Sequence, residues 1–217
     1  MEENVLPLFP LAVVLLPEEL LPLHIYEERY KEMIGARLEA KAANASGQEF
    51  GIVFAQEQEI HTLGCTATVV NVTRKYPDGR LDILVIGRRR FEVLFTREEK
   101  LYLEGEVVFF DDDSGADTPS DAEAAHAIDR FRLAMQRLHK TADIPIHFPR
   151  PYRHLSFRMA GPLPLDTNFK QQLLSMRNES ERLRQVLRAM DALVASLDLL
   201  QKVQKKAGGN GNRPTKR

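Results

Sequence analysis

The sequence predicts an α+β fold: an antiparallel sheet closed or nearly closed on itself with one or two helices, then an α-helical bundle ending in a long helix. Three observations carry this expectation. Residues 65–110 read as strand after strand joined by tight turns. Beyond residue 120, apolar residues recur at spacings of three and four. Between the two patterns lies the acidic, small-residue stretch Asp111–Asp117, read as a solvated linker. The resulting boundaries are a β-rich unit over 1–112, a helical unit over 113–206 and a basic tail over 207–217 expected to be disordered.

Val5–Phe9, Val13–Leu16 and Leu20–Ile25 are short apolar runs bounded by prolines, which suit edge or buried strands. Tyr26, Tyr30, Met33 and Arg37 then share a helical face, and Asn44–Gly47 supplies turn formers. Phe50, Ile52 and Phe54 mark the next strand. Val69–Thr73 and Leu81–Ile86 flank Tyr76-Pro77-Asp78-Gly79-Arg80, a hairpin turn because proline presets one dihedral and glycine accepts a positive φ. Gly87 is expected to break the run, leaving Arg88–Arg90 in a turn before Phe91–Phe95. A last strand carries Leu101, Leu103, Val107 and Phe109 on one face and Glu104 and Glu106 on the other.

In the helical half, Thr118 is expected to cap a helix whose apolar stripe is Ile128, Phe131, Met135 and Leu138. The proline-rich segment Ile144–Arg153 is irregular, and a short helix follows Asp166. Asn178 and Glu181 form a capping-box pattern for the longest helix, read from Ser180 to Val203.

Composition narrows the function classes. Lys+Arg 30 against Asp+Glu 31 gives a net charge of −1, without the basic excess typical of a dedicated nucleic-acid binder. One cysteine, Cys65, excludes an intramolecular disulfide framework. The N-terminus opens on Met1-Glu2-Glu3, acidic where a secretory signal is basic. Prolines and Glu18-Glu19 interrupt the apolar stretch Val5–Ile25, which argues against a membrane span and for a cytoplasmic protein.

No chemistry-bearing motif emerges. None of the glycines precedes a lysine, so a phosphate-binding loop is absent, and so is a serine elbow. No two of the six histidines share a helix face at metal-ligand spacing, so neither a metal nor a cofactor is expected. Apolar neighbours make Cys65 a packing residue, not a nucleophile. Arg88-Arg89-Arg90 is the strongest basic cluster of the folded part. It is read as a turn in which Arg90 makes a structural salt bridge; binding an acidic segment is the alternative.

Leu6-Pro7-Leu8-Phe9-Pro10-Leu11 and Leu21-Pro22-Leu23-His24-Ile25-Tyr26-Glu27-Glu28-Arg29-Tyr30 resemble the opening of the amino-terminal domain of Lon ATP-dependent proteases, with Tyr26 in place of the usual phenylalanine. Phe50-Gly51-Ile52-Val53, Leu63–Ala67, Tyr76–Arg80 and Ile86–Phe91 continue the match, and Leu163-Pro164-Leu165, Lys170–Leu174 and Arg182-Leu183 extend it into the helical half. The resemblance implies a pseudo-barrel similar to the PUA fold followed by a helical bundle. It also implies a module that recognises protein substrates, with the ATPase and Ser–Lys peptidase modules of the family missing from these 217 residues. The expectation is a non-catalytic binder of unfolded or exposed apolar polypeptide. Phe9, Leu23, Tyr26 and Tyr30 are its candidate lining residues, Arg29 and Arg90 its polar handles. An RNA- or small-ligand-binding barrel is the alternative, and the stripe on the long helix would also suit a homodimer.

Overall fold

The computed structural model describes residues 5–57, 59–114, 118–140, 147–150 and 152–209, the last five of these as backbone only. The rest of the expected tail, the end of the acidic linker and much of Ile144–Arg153 lie outside the described residues. The elements in order are β1 (Val5–Leu11), β2 (Leu20–Ile25), α1 (Glu28–Ala42), β3 (Phe50–Gln56), β4 (Glu59–Lys75), β5 (Leu81–Arg97), β6 (Glu104–Phe110), α2 (Asp121–His139), α3 (Leu155–Ala160), α4 (Thr167–Ser175) and α5 (Glu179–Gly209).

The strands follow the order β2-β5-β4-β3-β1-β6, and an additional β5–β6 pairing closes β5, β4, β3, β1 and β6 into a ring. The sheet is mixed rather than wholly antiparallel: β1 runs parallel to β3, with Leu8 opposite Gly51. Closure depends on the length of β5. Its first part, Leu81–Ile86, pairs with β2, and its last part, Arg90–Arg97, pairs with β6. The hairpin between β4 and β5 is the expected one, with Gly79 at φ 84° and the Tyr76 N–H donating to the Arg80 carbonyl at 2.9 Å.

Gly87 does not end a strand, and Arg88–Arg90 lie within β5 instead of in a turn. The backbone N–H of Gly87 donates to the Glu19 carbonyl, and its own carbonyl accepts from the Glu18 N–H, both at 2.9 Å. The chain before β2 therefore completes the ladder on the edge of β5 that lies between its pairings with β2 and β6. That same chain explains why Val13–Leu16 is not a strand. The Leu16 N–H donates to the Glu19 carboxylate at 2.9 Å, and its carbonyl accepts from the Glu19 N–H at 3.1 Å. Leu16 is thus committed to a local turn in which Glu18 takes φ 66°.

Two apolar clusters fill the molecule. Leu6, Leu8, Val53, Phe91 and Val107 pack together in the smaller one. It is tight: a Cβ on Gly64 would stand 2.5 Å from the Phe91 ring, so glycine is required there by close approach. The larger cluster runs from Phe9, Phe50, Ile52, Cys65 and Val85 on the strands to Phe131, Phe157, Leu173, Val186 and Met190 on the helices. Both parts of the chain therefore share one core.

In the helical part, α2 is capped by Ser120, two residues later than expected, through a reciprocal capping box with Glu123. A short helix follows Asp166 as expected, with Asp166 as its cap, and the Asn178 side chain accepts from the Glu181 N–H at 2.9 Å at the start of α5, in keeping with the expected capping pattern. Arg130 pairs with Asp191 and Arg137 with Asp198, a step of about two turns on each helix, so α2 and α5 run side by side in the same direction. The short helix α3, not foreseen from the sequence, is entered through His154 at φ 54°.

A Cβ at position 87 would lie 2.1 Å from the Leu16 carbonyl oxygen. Gly87→Ala should therefore cost about 1–3 kcal/mol or more, as overpacking does, read as a lower urea midpoint at unchanged slope.

Candidate functional site

The start of α1 builds a surface cleft beside three of the candidate residues. Tyr30 follows Glu27 by one helical turn, and its ring stacks on Phe9 at 4.0 Å between centroids. Burial pushes the Tyr30 hydroxyl above its ordinary range. Arg29 lies over the same ring at 4.6 Å and pairs with Glu27 at 2.7 Å. Pro10, Arg29, Tyr30, Ile60, Leu101 and Tyr102 line a cleft of about 410 Å³. Leu101 is 68% and Ile60 42% exposed, so its walls offer apolar surface to solvent. Lys100, at 5.4 Å from the Tyr102 ring and 2.8 Å from Glu104, adds a cation to the rim. Glu98 joins Arg29 and Lys100 in a charged rim, and with an aromatic floor and two apolar projections this suits an apolar side chain together with the polar backbone of an extended chain.

The structure brings three of the six candidate residues together and separates the others. Phe9 is a buried support beneath Tyr30, and Arg29 and Tyr30 line the cleft directly. Leu23 is half-buried in β2 opposite Ile83. Tyr26, exposed, stacks on His24 at 5.9 Å in a different cluster. There the His24 Nδ1 lies 2.6 Å from Asp82, whose other oxygen accepts from the Tyr76 hydroxyl at 2.8 Å. Hydrogen bonds from His24 and then Tyr76 hold the Asp82 carboxyl below its usual range.

Arg90 is only 3% exposed, so it is not a surface handle. Its guanidinium donates to Asp112 at 2.7 Å and to the carbonyls of Leu174, at 3.2 Å, and Met176. Arg182, wholly buried, meets the same carboxylate from α5 with bonds of 2.9 and 2.8 Å to its two oxygens. Arg182 also donates to the Met176 carbonyl at 2.7 Å and the Ser156 hydroxyl at 2.8 Å, and pairs with Glu179. Glu179 in turn accepts from the Ser156 N–H at 2.8 Å and its hydroxyl at 2.9 Å. The Phe157 ring lies 4.0 Å from the Arg182 guanidinium. The structural salt bridge expected of Arg90 is present, while Asp112 is a joint and not part of a solvated linker. Sequence reading missed Glu179, Arg182 and Ser156. The available signal was that Glu179 and Arg182 fall at helical spacing with Val186, placing two charges on a buried stripe.

Cys65 is fully buried, and burial pushes its thiol far above the ordinary range, which makes it a packing residue. Among the described residues no group of His, Cys, Asp and Glu could hold a metal ion, and no helix is long and apolar enough to cross a membrane.

A closed small barrel of mixed strands sharing its core with a helical bundle defines an α+β module. The chain belongs to the ATP-dependent protease La (LON) substrate-binding domain family, whose profile matches residues 5–192. It is 25% identical over 217 aligned residues to the Lon protease of Flavobacterium johnsoniae, and 26% identical over 212 to that of Bacillus thuringiensis. These alignments cover 93% and 94% of this chain but 26% of each relative, so the chain spans about a quarter of their length. Among solved structures it is similar to a Lon N-terminal domain protein from Xanthomonas campestris, at 25% identity and a TM-score of 0.61, over 85% of this chain and 98% of that one. The N-terminal domain of a Mycobacterium avium complex Lon protease shares the fold at 17% identity and a TM-score of 0.59, covering 87% and 98%.

Removing one partner of a buried charge network leaves the others uncompensated, so Arg182→Met should destabilise the chain by about 3–5 kcal/mol in urea unfolding. Partial burial pushes the Asp112 carboxyl up, but the bonds and charges of Arg182 and Arg90 outweigh it and hold the group below its usual range. The stability it contributes is complete above the unfolded-state value of about 3.9 and is lost as pH falls through the lower folded value. Asp112→Asn should thus be less stable at neutral pH and lose less further stability on acidification below about pH 4 than the unsubstituted chain.

Proposed function

We propose that this chain recognises exposed, extended segments of protein substrates and performs no hydrolysis itself. Membership of a substrate-binding domain family supports the binding role. The observation that carries the particular site is the cleft at the start of α1, where Tyr30 forms the floor while Ile60 and Leu101 stand out to solvent. An apolar side chain of an unfolded segment would cover Ile60 and Leu101 and rest on Tyr30, with Arg29 and Lys100 receiving its carbonyls. Phe9 contributes by holding the Tyr30 ring, whereas Arg90 serves the Asp112 joint and takes no part in the cleft. Tyr26 and Leu23 belong to this reading only as neighbours along the same chain segment. The ligand is a polypeptide, and no cofactor is called for.

The test is fluorescence anisotropy with a labelled, reduced and alkylated protein that cannot refold. Leu101→Asp should weaken binding about tenfold, the equivalent of 1.4 kcal/mol, while leaving the melting temperature within a degree or two because Leu101 is exposed. Equal affinity for the variant would remove the cleft from the account. Binding of single-stranded RNA but not of the unfolded protein would replace polypeptide with nucleic acid. Release of fragments from the unfolded protein by the pure chain would overturn the non-catalytic assignment.

A further inference from the structure

A second cleft, of about 370 Å³, opens at the other end of α1 between the 45–49 loop, β1 and the middle of β4 and β5. Arg37, Ser46, Gln48, Glu49, Thr68 and Arg89 supply its polar lining. Arg37 is the anomaly. Its Nε is buried and makes no hydrogen bond, and no carboxylate pairs with its guanidinium among the described residues. Arg137 and Arg158 also have a buried Nε without a hydrogen bond, but each of those guanidinium groups pairs with a carboxylate, Asp198 and Glu18 respectively. Arg37 as a whole is half-buried, but a buried guanidinium N–H without a partner carries a cost that an incoming acceptor would relieve.

The neighbouring groups reinforce the point. Arg89 is held in place by Glu49, through Nε at 3.1 Å and Nη2 at 2.8 Å, and by the Phe109 ring at 3.7 Å. Its Nη1 lies outside that pair. The Thr68 hydroxyl accepts from the Arg88 Nε at 3.3 Å, so its own proton is available to donate. Among the described residues two guanidinium groups face one carboxylate, leaving a net positive charge in a partly enclosed space. Planar, multiply donating guanidinium groups match carboxylate and phosphate oxygens better than they match a spherical anion.

We propose that this cleft is a binding site for a compact oxyanion, a carboxylate or a phosphate group, with Arg37 as its principal donor and Arg89, Thr68 and Ser46 as its walls. The site is lined by different residues from the Tyr30 cleft and does not rest on the polypeptide reading.

The experiment follows the side-chain Nε–Hε resonances of Arg37 and Arg89 in the ¹⁵N-labelled full chain. Sodium phosphate and sodium acetate are titrated separately at ionic strength held constant with sodium chloride. A saturating shift of the Arg37 signal with at least one oxyanion, and none in chloride alone, is the expected result. Saturation by phosphate only would assign the site to a phosphate group, and by acetate only to a carboxylate; saturation by both supports the site for either. Arg37→Gln removes no hydrogen bond and should leave the melting temperature unchanged or slightly raised, yet weaken the same oxyanion about tenfold as read on Arg89, with Arg37→Lys intermediate. Shifts that rise linearly in every salt, or an Arg37→Gln chain with undiminished affinity, would overturn the proposal, and the unsubstituted Arg37 signal decides it alone should the variant not fold.

Discussion

Two buried guanidinium groups, Arg90 from β5 and Arg182 from α5, share the carboxylate of Asp112, and the attachment of the barrel to the helices depends on that sharing. Each cation taken alone would be a heavy burden in the interior, since desolvation pushes Arg90 toward its neutral form and the nearby Arg182 adds repulsion. Asp112 and Glu179 offset both charges, and the Leu174 and Met176 carbonyls, the Ser156 hydroxyl and the Phe110 and Phe157 rings take up the remaining donors and faces. Such a network contributes less through its net strength than through the geometry it enforces, because any displacement of α5 against β5 would strand a charge. The same interface carries a second ion pair, Lys170 with Glu19 at 2.6 Å, where burial keeps the carboxyl above its usual range despite the lysine.

The barrel meets a different constraint, lack of space. Its small inner cluster leaves the Phe91 ring hard against glycine backbone, and at Gly87 β5 is paired with β4 on one edge and with the Glu18–Glu19 backbone on the other, with no room for a side chain beside the Leu16 carbonyl. Rigidity there fixes the position of α1, whose two ends carry the two clefts. The Tyr30 end is aromatic and apolar and the Arg37 end is cationic, so one helix presents unlike chemistry to solvent about seven residues apart, or roughly 10 Å at 1.5 Å per residue.

What was legible in the sequence had local causes. The Tyr76–Arg80 hairpin, the Asp166 and Asn178 caps and the long apolar stripe of α5 are each decided within a few residues, so pattern and turn chemistry suffice. The opening motifs also pointed to Arg29 and Tyr30. Distant causes were hidden. Gly87 reads as a breaker until the Leu16 carbonyl is seen against it, and Asp112 reads as one of several linker acids until Arg182 reaches it from 70 residues away. Ile60 and Leu101 become cleft walls only because barrel closure brings the first residues of β4 and the segment before β6 to the start of α1. Arg90 reads as a surface handle from its place in a basic run, and its burial follows from a bulge in the β4–β5 ladder between Gly87 and Arg90, which breaks the alternation of β5 so that Arg88 and Arg89 are both exposed while Arg90 and Phe91 are both buried.

The central claim, that the Asp112 joint makes barrel and helices one cooperative unit, is most directly tested by native-state hydrogen exchange at increasing low concentrations of denaturant. The joint predicts that the slowest amides of β5 and of the Glu179–Met190 part of α5 converge on the same opening free energy and the same denaturant slope. Exchange of that part of α5 through a separate opening, with a smaller slope and while β5 stays protected, would contradict it.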